Sequence, residues 1–453
     1  MASTYLTRTV GTPTNSKKFT FSCWVKLTKL DSSVVFLGNY SDNNNRSELG
    51  LSGGNLMQYY ARDGGSTYVD MYTTRTLRDI NAWYNLIWAV DTTQATASDR
   101  VKFYINGVQE TVFTGENYPS QNTDLRLNTS GQVINIGRLP NDTKYVDGLM
   151  SHINFCDGTQ LAPTVFGSTD STTGEWQINT SPSFTLGNNG FTILKDGNTI
   201  TDQSSNSNDF TLGGGTLTKS EDCPSNIFCT GNRISNCYGS NLTYSNGNNT
   251  ISAGSGWSMG SATLGASSGK YYWEYKMTTL GTASGYHKVG FISDQAFSTS
   301  AGHNAVSSLD GAYAFYINNG NLQVRTDDNI ISGYDNSDLN VSFSNNDIMC
   351  VAVDMTNKRA YCRKNDGAWI KSANPVNGTN GLDISSDYPT GSTKAMIPAY
   401  SIYENGVGSL NFGNGYFGTS QVASAGTNAS GIGIFEYDVP TGYTALSTKG
   451  LNE

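Results

Sequence analysis

The chain reads as all-β: two jelly-roll-like antiparallel β-sandwiches joined by a packed, loop-rich β connector. Three observations predict this. Short runs dense in β-branched and aromatic residues recur from end to end, each bounded by Gly, Asn, Asp or Ser, which is the pattern of strands and turns. No run carries the apolar period of an amphipathic helix. Fifty Gly against ten Pro, with 11 % aromatic and 14 % charged residues, describe a turn-rich chain surfaced by Asn, Ser, Thr and Gly; an average soluble domain carries about a quarter charged residues. At 453 residues the chain exceeds one comfortable core, so about two to three domains are expected.

Residues 1–18 are taken as an N-terminal docking segment and 19–157 as the first sandwich. The run FTFSCWVKL (19–27) alternates, with Phe19, Phe21, Cys23 and Val25 on one face. Runs at 33–38 and 47–51 follow. WYNLIWAVD (83–91) is a strand on which Trp83, Asn85, Ile87 and Ala89 share a face. In 101–109 the pair Asn106-Gly107 is the strongest hairpin signal of the chain. INIGR (134–138) and VDGLMSHINF (146–155) close the set. In this order and spacing, these strings resemble the concanavalin-A-like jelly rolls of the laminin-G/pentraxin type. The resemblance implies a sandwich that binds sugars or proteins, in some members with calcium held by Asp and Asn. Asp31, Asp42 and Asp63 lie in loops that could supply oxygens, the other reading being solvated loop carboxylates. No other cofactor is expected.

Residues 158–250 form the connector. Phe155, Phe166, Trp176, Ile178, Phe191, Ile193, Leu194, Phe210 and Phe228 recur at its start and through it, too much apolar material for a flexible linker. It is expected to lie against the first sandwich. Seven Cys is an odd number and disfavours a closed disulfide framework. Cys223, Cys229 and Cys237 include no C-x-x-C pair, so thiols are expected there rather than zinc.

Residues 251–418 are the second sandwich. A turn centred on Asn357-Lys358 sets Cys362 opposite Val353 and Cys350 opposite Asn365, so no bridge joins the two. The ordered strings GKYYWEYKM, VGF, DIMCVAVDMTNKRAYCRKNDGAW, MIPAYSIY and SLNFG, within 254–417, resemble a SPRY (B30.2-like) domain. That resemblance implies a sandwich whose loops bind a protein or a glycan, without chemistry of its own. Residues 419–453 are taken as a C-terminal docking tail. Its Ile434, Phe435, Tyr437 and Tyr443 cannot be buried by an isolated tail, and assembly contacts in a homo-oligomer, a trimer by preference, would cover them. Folding back onto the second sandwich is the other way to cover them.

Catalytic motifs are missing from the sequence. His152, His287 and His303 lie near no Gly-x-Ser-x-Gly elbow and no H-E-x-x-H helix, and read as structural or surface residues. Asp347, Asp354 and Glu404 fall at strand ends and Glu274 inside a strand; any such pair could be imagined as a glycosidase couple, but strand-end carboxylates usually decorate turns. Gly213-Gly214-Gly215 is followed by no Lys-Ser/Thr and is not a phosphate loop. The chain is therefore read as a non-enzyme. A net charge of −9 without a basic stripe argues against nucleic acid. No apolar run is long enough to cross a bilayer, and MASTYLTR lacks a secretory apolar core, so synthesis in a host cytoplasm is expected. Recognition remains, and aromatic side chains are its candidates. Tyr59 and Tyr60 point to opposite sides if their segment is a strand, so one ring is exposed or covered by another subunit, the other reading being that both fill the groove of the sandwich; Tyr334 and Trp369, the latter a contact or rim core, complete the candidate ligand-binding set.

The phrases DGTQLAPTVFGSTDSTTGEW, GNNGFTIL, DQSSNSNDFTL and IFEYDVPTGYTALSTKGLNE resemble tail-fibre and other virion proteins of bacteriophages, particularly those infecting marine bacteria. The resemblance implies a virion component, a tail fibre or a fibre attached to capsid or tail. It would dock on other phage virion proteins and bind a glycan or protein of the host cell surface. Two alternatives are a head-decoration or tail-scaffold protein without a host ligand, and a polysaccharide-degrading tail enzyme. The short coil repeat of a β-helix, usual in the latter, is not visible.

Overall fold

The structure, a computed structural model, describes residues 4–195, 197–238, 241–281, 285–293, 306, 311–385 and 395–453. Helix makes up 5 % and strand 47 %, arranged in antiparallel sheets. The chain divides into two compact units, Met1–Lys219 with Cys223–Ser225, and Ser220–Asp222 with Asn226–Glu453. The stretch 158–250 is thus shared: most of it up to Lys219 builds the first unit, and from Asn226 it builds the second.

The first unit begins with β1 (Tyr5–Thr9), β2 (Lys18–Leu27), β3 (Val34–Asp42), β4 (Asn45–Leu51), β5 (Leu56–Asp63), β6 (Ser66–Thr76), β7 (Trp83–Asp91) and β8 (Val101–Ile105). It continues with β9 (Val108–Glu110), β10 (Phe113–Asn117), β11 (Val133–Ile136), β12 (Gly148–Asp157), β13 (Gly167–Thr169), β14 (Trp176–Ile178), β15 (Phe191–Ile193) and β16 (Thr211–Gly214). Among the described residues one sheet has the order β10-β6-β5-β4-β3-β11-β1-β16 and the other β15-β12-β2-β7-β8-β9. β1, from the segment 1–18, lies between β11 and β16 and is an integral strand of the sandwich.

Alternation decides what fills the space between these sheets. Phe19, Phe21, Cys23 and Val25 of β2 join Leu86, Trp88 and Val90 of β7 in the core, with Phe36, Leu49, Tyr59 and Met71 from the other sheet. Trp88 is the centre: its ring lies 5.7 Å from that of Phe21, and its indole N–H donates to the Gln58 carbonyl across the sandwich (2.9 Å). Trp83, Asn85, Ile87 and Ala89 do share a face of β7, and it is the outer one. It is nevertheless buried, because the segment after β12 covers it. Trp176 donates its indole N–H to Asn85 Oδ1 (3.1 Å), and Gln160 donates to the Ala89 carbonyl (3.2 Å). Gly107 closes the β8–β9 turn with φ +75° and lies so close to Trp176 that a Cβ would come within 2.3 Å of the ring. Glycine is required there twice over, by dihedral and by space.

The second unit begins with β17 (Gly231–Tyr238), β18 (Leu242–Ser245), β19 (Thr250–Ala253), β20 (Trp257–Ala262), β21 (Lys270–Thr279), β22 (His287–Ser293), β23 (Tyr313–Asn318), β24 (Asn321–Thr326) and β25 (Asn329–Ile330). Then come β26 (Ile348–Asp354), β27 (Arg359–Lys364), β28 (Leu382–Asp383), β29 (Met396–Tyr403), β30 (Val407–Asn411), β31 (Tyr416–Phe417), β32 (Ser420–Gln421) and β33 (Thr444–Ala445). Its two main sheets run β17-β20-β29-β22-β23-β24-β25 and β18-β19-β30-β21-β26-β27-β28, with β33 parallel to β21.

β21 and β26 are apolar on both faces, as strands covered on both sides are. Trp273, Tyr275, Met277, Met349, Val351 and Val353 face the sandwich core. Tyr272, Ile348, Cys350 and Ala352 face the other way and meet Phe435, Val439, Tyr443 and Ala445 of the C-terminal segment. Phe435 and Tyr443 are each 1 % exposed, while Ile434 and Tyr437 are half-buried around them. The expectation that the tail spends its apolar residues on assembly is corrected for Phe435 and Tyr443, which are consumed inside their own unit. Cys350 and Cys362 lie on opposite faces of the same sheet, and Cys23, Cys156, Cys223, Cys229, Cys350 and Cys362 are all free thiols. Their register differs from the expected one: Cys362 pairs with Val351 and Cys350 with Arg363. The turn sits one residue earlier because the Asp354 carboxylate accepts from both the backbone N–H and the side-chain amide of Asn357 (2.8 Å each).

What pins the tail is Glu274 on β21, fully buried. Its carboxyl accepts from the Tyr272 hydroxyl (3.1 Å), Asn411 Nδ2 (3.0 Å) and the backbone N–H groups of Glu436 and Tyr437 (2.9 Å each). Asn411 Nδ2 donates also to the Ile434 carbonyl (3.0 Å). Burial pushes the Glu274 carboxyl up to about 7, against the pull of those hydrogen bonds.

Replacing Glu274 by Gln puts a donor where an acceptor is needed and leaves a buried N–H unpaired, a cost of about 1–3 kcal/mol. The melting temperature of the second unit should fall by roughly 3–10 °C, read by calorimetry; an unchanged transition would contradict the role given to Glu274. The sign of the pH effect follows from the raised carboxyl: its contribution to stability is present below its ordinary value and is lost as pH rises through about 7. The wild-type advantage over Glu274→Gln should therefore shrink between pH 5 and pH 8. His287, buried and held down to about 4 by burial, acts with the opposite sign in both proteins and cancels from the comparison.

Candidate functional site

The β26–β27 hairpin and the tail together build a groove on the second unit. After β27 the chain turns at Asn365 (φ +48°), closed by the Gly367 N–H donating to the Lys364 carbonyl (2.9 Å). This turn sends Ile370 into the core and leaves Trp369 half-buried at its edge. The indole lies edge-to-face with Tyr361, 6.4 Å between centroids, and the Arg363 guanidinium sits 4.9 Å from its centroid. The second wall is the loop beginning at Asn374, whose Oδ1 accepts from the N–H of Val376 (2.9 Å) and of Asn377 (3.3 Å). The third is the tail at Asp438–Thr441, with Thr427. These walls enclose a groove of about 370 Å³.

Its polar groups are held in place. Arg363 donates to the Asp438 carbonyl (2.8 Å) and to the Asp366 carboxylate (3.3 Å). Asp438 Oδ1 accepts from Thr427 N–H (2.6 Å) and hydroxyl (2.8 Å), and these donors, the backbone one first, hold the carboxyl below its ordinary value. Tyr443 donates its hydroxyl to the Pro375 carbonyl (3.4 Å), tying the second wall to the third. The result is an open cleft with an indole wall, a fixed guanidinium, an ionised carboxylate and exposed apolar Val376 (54 %) at its lip. Such a site can hold a partly apolar, hydroxyl-bearing molecule.

Of the residues singled out from sequence, Trp369 is the one that lines this groove. Tyr334 is half-buried against the core, with the Lys371 ammonium 5.6 Å from its ring. Tyr59 and Tyr60 point to opposite faces as expected. Tyr59 is fully buried beside Phe19, so it is withdrawn as a ligand contact. Tyr60 is half-buried under the Arg46 guanidinium, 5.0 Å from its centroid. Arg363, Asn374, Thr427 and Asp438 escaped notice, since nothing in their own neighbourhoods marks them.

The calcium candidates do not gather. Asp31 precedes β3 and Asp42 ends it, a separation of roughly 30 Å for nine extended residues. Asp31 and Asn55 hold each other, Asp42 caps the turn through Asn44 and Asn45, and Asp63 pairs with Arg126 (2.9 Å). Among the described residues no group of three or more His, Cys, Asp or Glu could hold a metal ion. His287 is structural: Nε2–H donates to the Thr279 carbonyl (3.1 Å) and Nδ1 accepts from the Tyr275 hydroxyl (2.8 Å). His152 occupies an irregular point of β12 at φ +45°. His303 lies outside the described residues. Asp347 and Asp354 are bound to Lys364 (2.7 Å) and Lys270 (3.2 Å) at strand ends.

No curated protein matches the chain. Among solved structures it is similar to the SPRY domain of human HERC1, at 18 % identity over 37 % of this chain and 91 % of that one, TM-score 0.27. It is similar also to the heptameric SAP-like pentraxin of Limulus polyphemus, at 11 % identity over 48 % of this chain and 90 % of that one, TM-score 0.28. A third likeness is to domain 4 of AbnA, a GH43 extracellular arabinanase of Geobacillus stearothermophilus, at 16 % identity over 35 % and 84 %, TM-score 0.25. Residues 2–166 match the family model described as the concanavalin A-like lectin/glucanases superfamily.

Proposed function

We propose that this chain binds glycan without cleaving it, and does so as a host-recognition component of a bacteriophage particle. The observation that carries the binding reading is the Trp369 groove. A half-exposed indole offers its face to the apolar side of a sugar ring, while the Asp438 carboxylate and the Asn374 and Thr427 side chains line the same cleft. Its volume of about 370 Å³ lies at the small end of ligand sites, about 300–1,000 Å³, and suits one or two sugar rings. Binding is favoured over hydrolysis by the carboxyl groups themselves. Asp438 is the one carboxylate among the groove's lining residues, where glycoside hydrolysis uses a pair, and Glu274, the carboxyl raised to about 7, is sealed beneath the tail.

The particle reading is supported by the resemblance of the sequence phrases to those of phage fibre and other virion proteins, and the lectin-like description of the family matched by residues 2–166 agrees with the glycan reading. Docking on other particle proteins, and on two further copies of the chain, completes the proposal. Such contacts would use surfaces other than Phe435 and Tyr443, which the chain buries for itself.

Replacing Trp369 by Ala should weaken adsorption of the purified chain to host cells, and binding on a glycan array, by about tenfold. Val376→Asp, which changes only an exposed lip position, should do the same with an unchanged melting temperature. Undiminished binding by both variants would refute the groove as the site. Release of reducing ends by the wild-type chain, abolished in Asp438→Asn, would replace the binder by an enzyme.

A further inference from the structure

The groove beside Trp369 carries more chemistry than a stacking surface needs. The half-buried indole offers ring contact, and Ala373 and Val376 add reachable methyl groups on the second wall. Between those two apolar residues stands Asn374, which is exposed. Its Oδ1 is committed to its own loop, accepting from the N–H of Val376 (2.9 Å) and of Asn377 (3.3 Å). Its backbone is fixed as well, the N–H donating to the Thr379 carbonyl and the carbonyl accepting from the Gly378 N–H (3.0 Å each). An amide group is planar, so holding its oxygen against the loop turns Nδ2, with two N–H donors, away from the loop. That nitrogen donates to none of the described residues.

The third wall supplies the opposite polarity. Asp438 is exposed, and both donors of Thr427 converge on its Oδ1, the N–H at 2.6 Å and the hydroxyl at 2.8 Å. Oδ2 accepts from none of the described residues. The same donors hold the carboxyl below its ordinary value, so near neutrality Oδ2 is an acceptor only. Arg363 adds no donor for a ligand. It is buried, and its two outer nitrogens are spent on the Asp438 carbonyl (2.8 Å) and the Asp366 carboxylate (3.3 Å). An anionic ligand would face the open side of Asp438 with no reachable cation among the lining residues, a juxtaposition of like charges that rejects it.

Taking the groove as the glycan site proposed above, we infer that its sugar carries an acetamido group. Such a group combines an N–H donor, a carbonyl acceptor and a methyl. Each has a counterpart here: Asp438 Oδ2 for the N–H, Asn374 Nδ2 for the carbonyl, and Ala373 with Val376 for the methyl. The sugar ring lies on Trp369. A plain hydroxyl in the same place has no methyl to cover the apolar lip, and it presents one group where two are matched. Sites built to hydrogen-bond a ligand group discriminate against the analogue without it, because their own polar groups are then left unpaired.

Chitobiose and cellobiose are the probes, since they share ring configuration and linkage and differ only in the acetamido groups. Each is titrated calorimetrically into the full chain. Chitobiose should bind at least about tenfold tighter than cellobiose. Asn374→Asp keeps the oxygen that the loop needs and removes the donor; Asp438→Asn keeps acceptance from Thr427 and puts a donor where the ligand's N–H must point. Each should lose about tenfold in chitobiose affinity at an unchanged melting temperature, and Val376→Ser should narrow the preference over cellobiose. Cellobiose bound as tightly as chitobiose, and lost in Trp369→Ala, overturns the acetamido assignment while leaving the groove a glycan site. Chitobiose bound by Trp369→Ala and by both polar variants as by wild type overturns the assignment and the groove reading together. If neither disaccharide binds the wild-type chain, the assignment is overturned, and adsorption to host cells by Trp369→Ala still decides the groove.

Discussion

A carboxyl group buried on β21 governs the second unit. Glu274 receives four donors, two of them backbone N–H groups of Glu436 and Tyr437. A group of this kind is costly to bury and costlier to leave unpaired. Satisfying it obliges the last stretch of chain to lie on the sheet at one register. Once Glu436 and Tyr437 are set, Phe435 falls on Tyr272, ring centroids 5.0 Å apart, and Asp438 falls against Arg363 and Thr427. The groove wall is a consequence of that anchoring.

Both units meet the same physical problem in the same way. A sheet whose strands are apolar on two faces cannot leave one face in water, and each sandwich has only one partner sheet. In the first unit the outer face of β7 is closed by Trp176 and Gln160, which follow β12. In the second the outer face of β21 and β26 is closed by Phe435, Val439 and Tyr443. In each case the cover is stitched by a polar pair through the apolar layer, Trp176 to Asn85 in one and the tail amides to Glu274 in the other. A later segment becomes a structural cover, which is why the connector and the tail carry more apolar residues than a flexible linker would.

Much of this was legible from periodicity. The inward set Phe19, Phe21, Cys23 and Val25, the shared face of Trp83 to Ala89, and the opposed rings of Tyr59 and Tyr60 all follow from a period of two. Periodicity does not say which face is inward when both are apolar, and so the Trp83 face proved to be the outer one. Nor does it fix a turn: the Cys350–Cys362 register moved because one Asp carboxylate captured Asn357. The groove was half visible. Trp369 stands out by residue type, whereas Arg363 and Asp438, 75 residues apart, are joined only by a fold that brings the tail across the hairpin.

The central claim is that Glu274 holds the tail as firmly as a core strand, and amide hydrogen exchange addresses it most directly. In the wild-type chain the N–H groups of Glu436 and Tyr437 should exchange as slowly as those in the middle of β21, because both can be released only when the second unit opens globally. Exchange of these two amides at the rate of an exposed loop, while β21 stays protected, would mean that the tail opens on its own and that the buried carboxyl does not organise this part of the molecule.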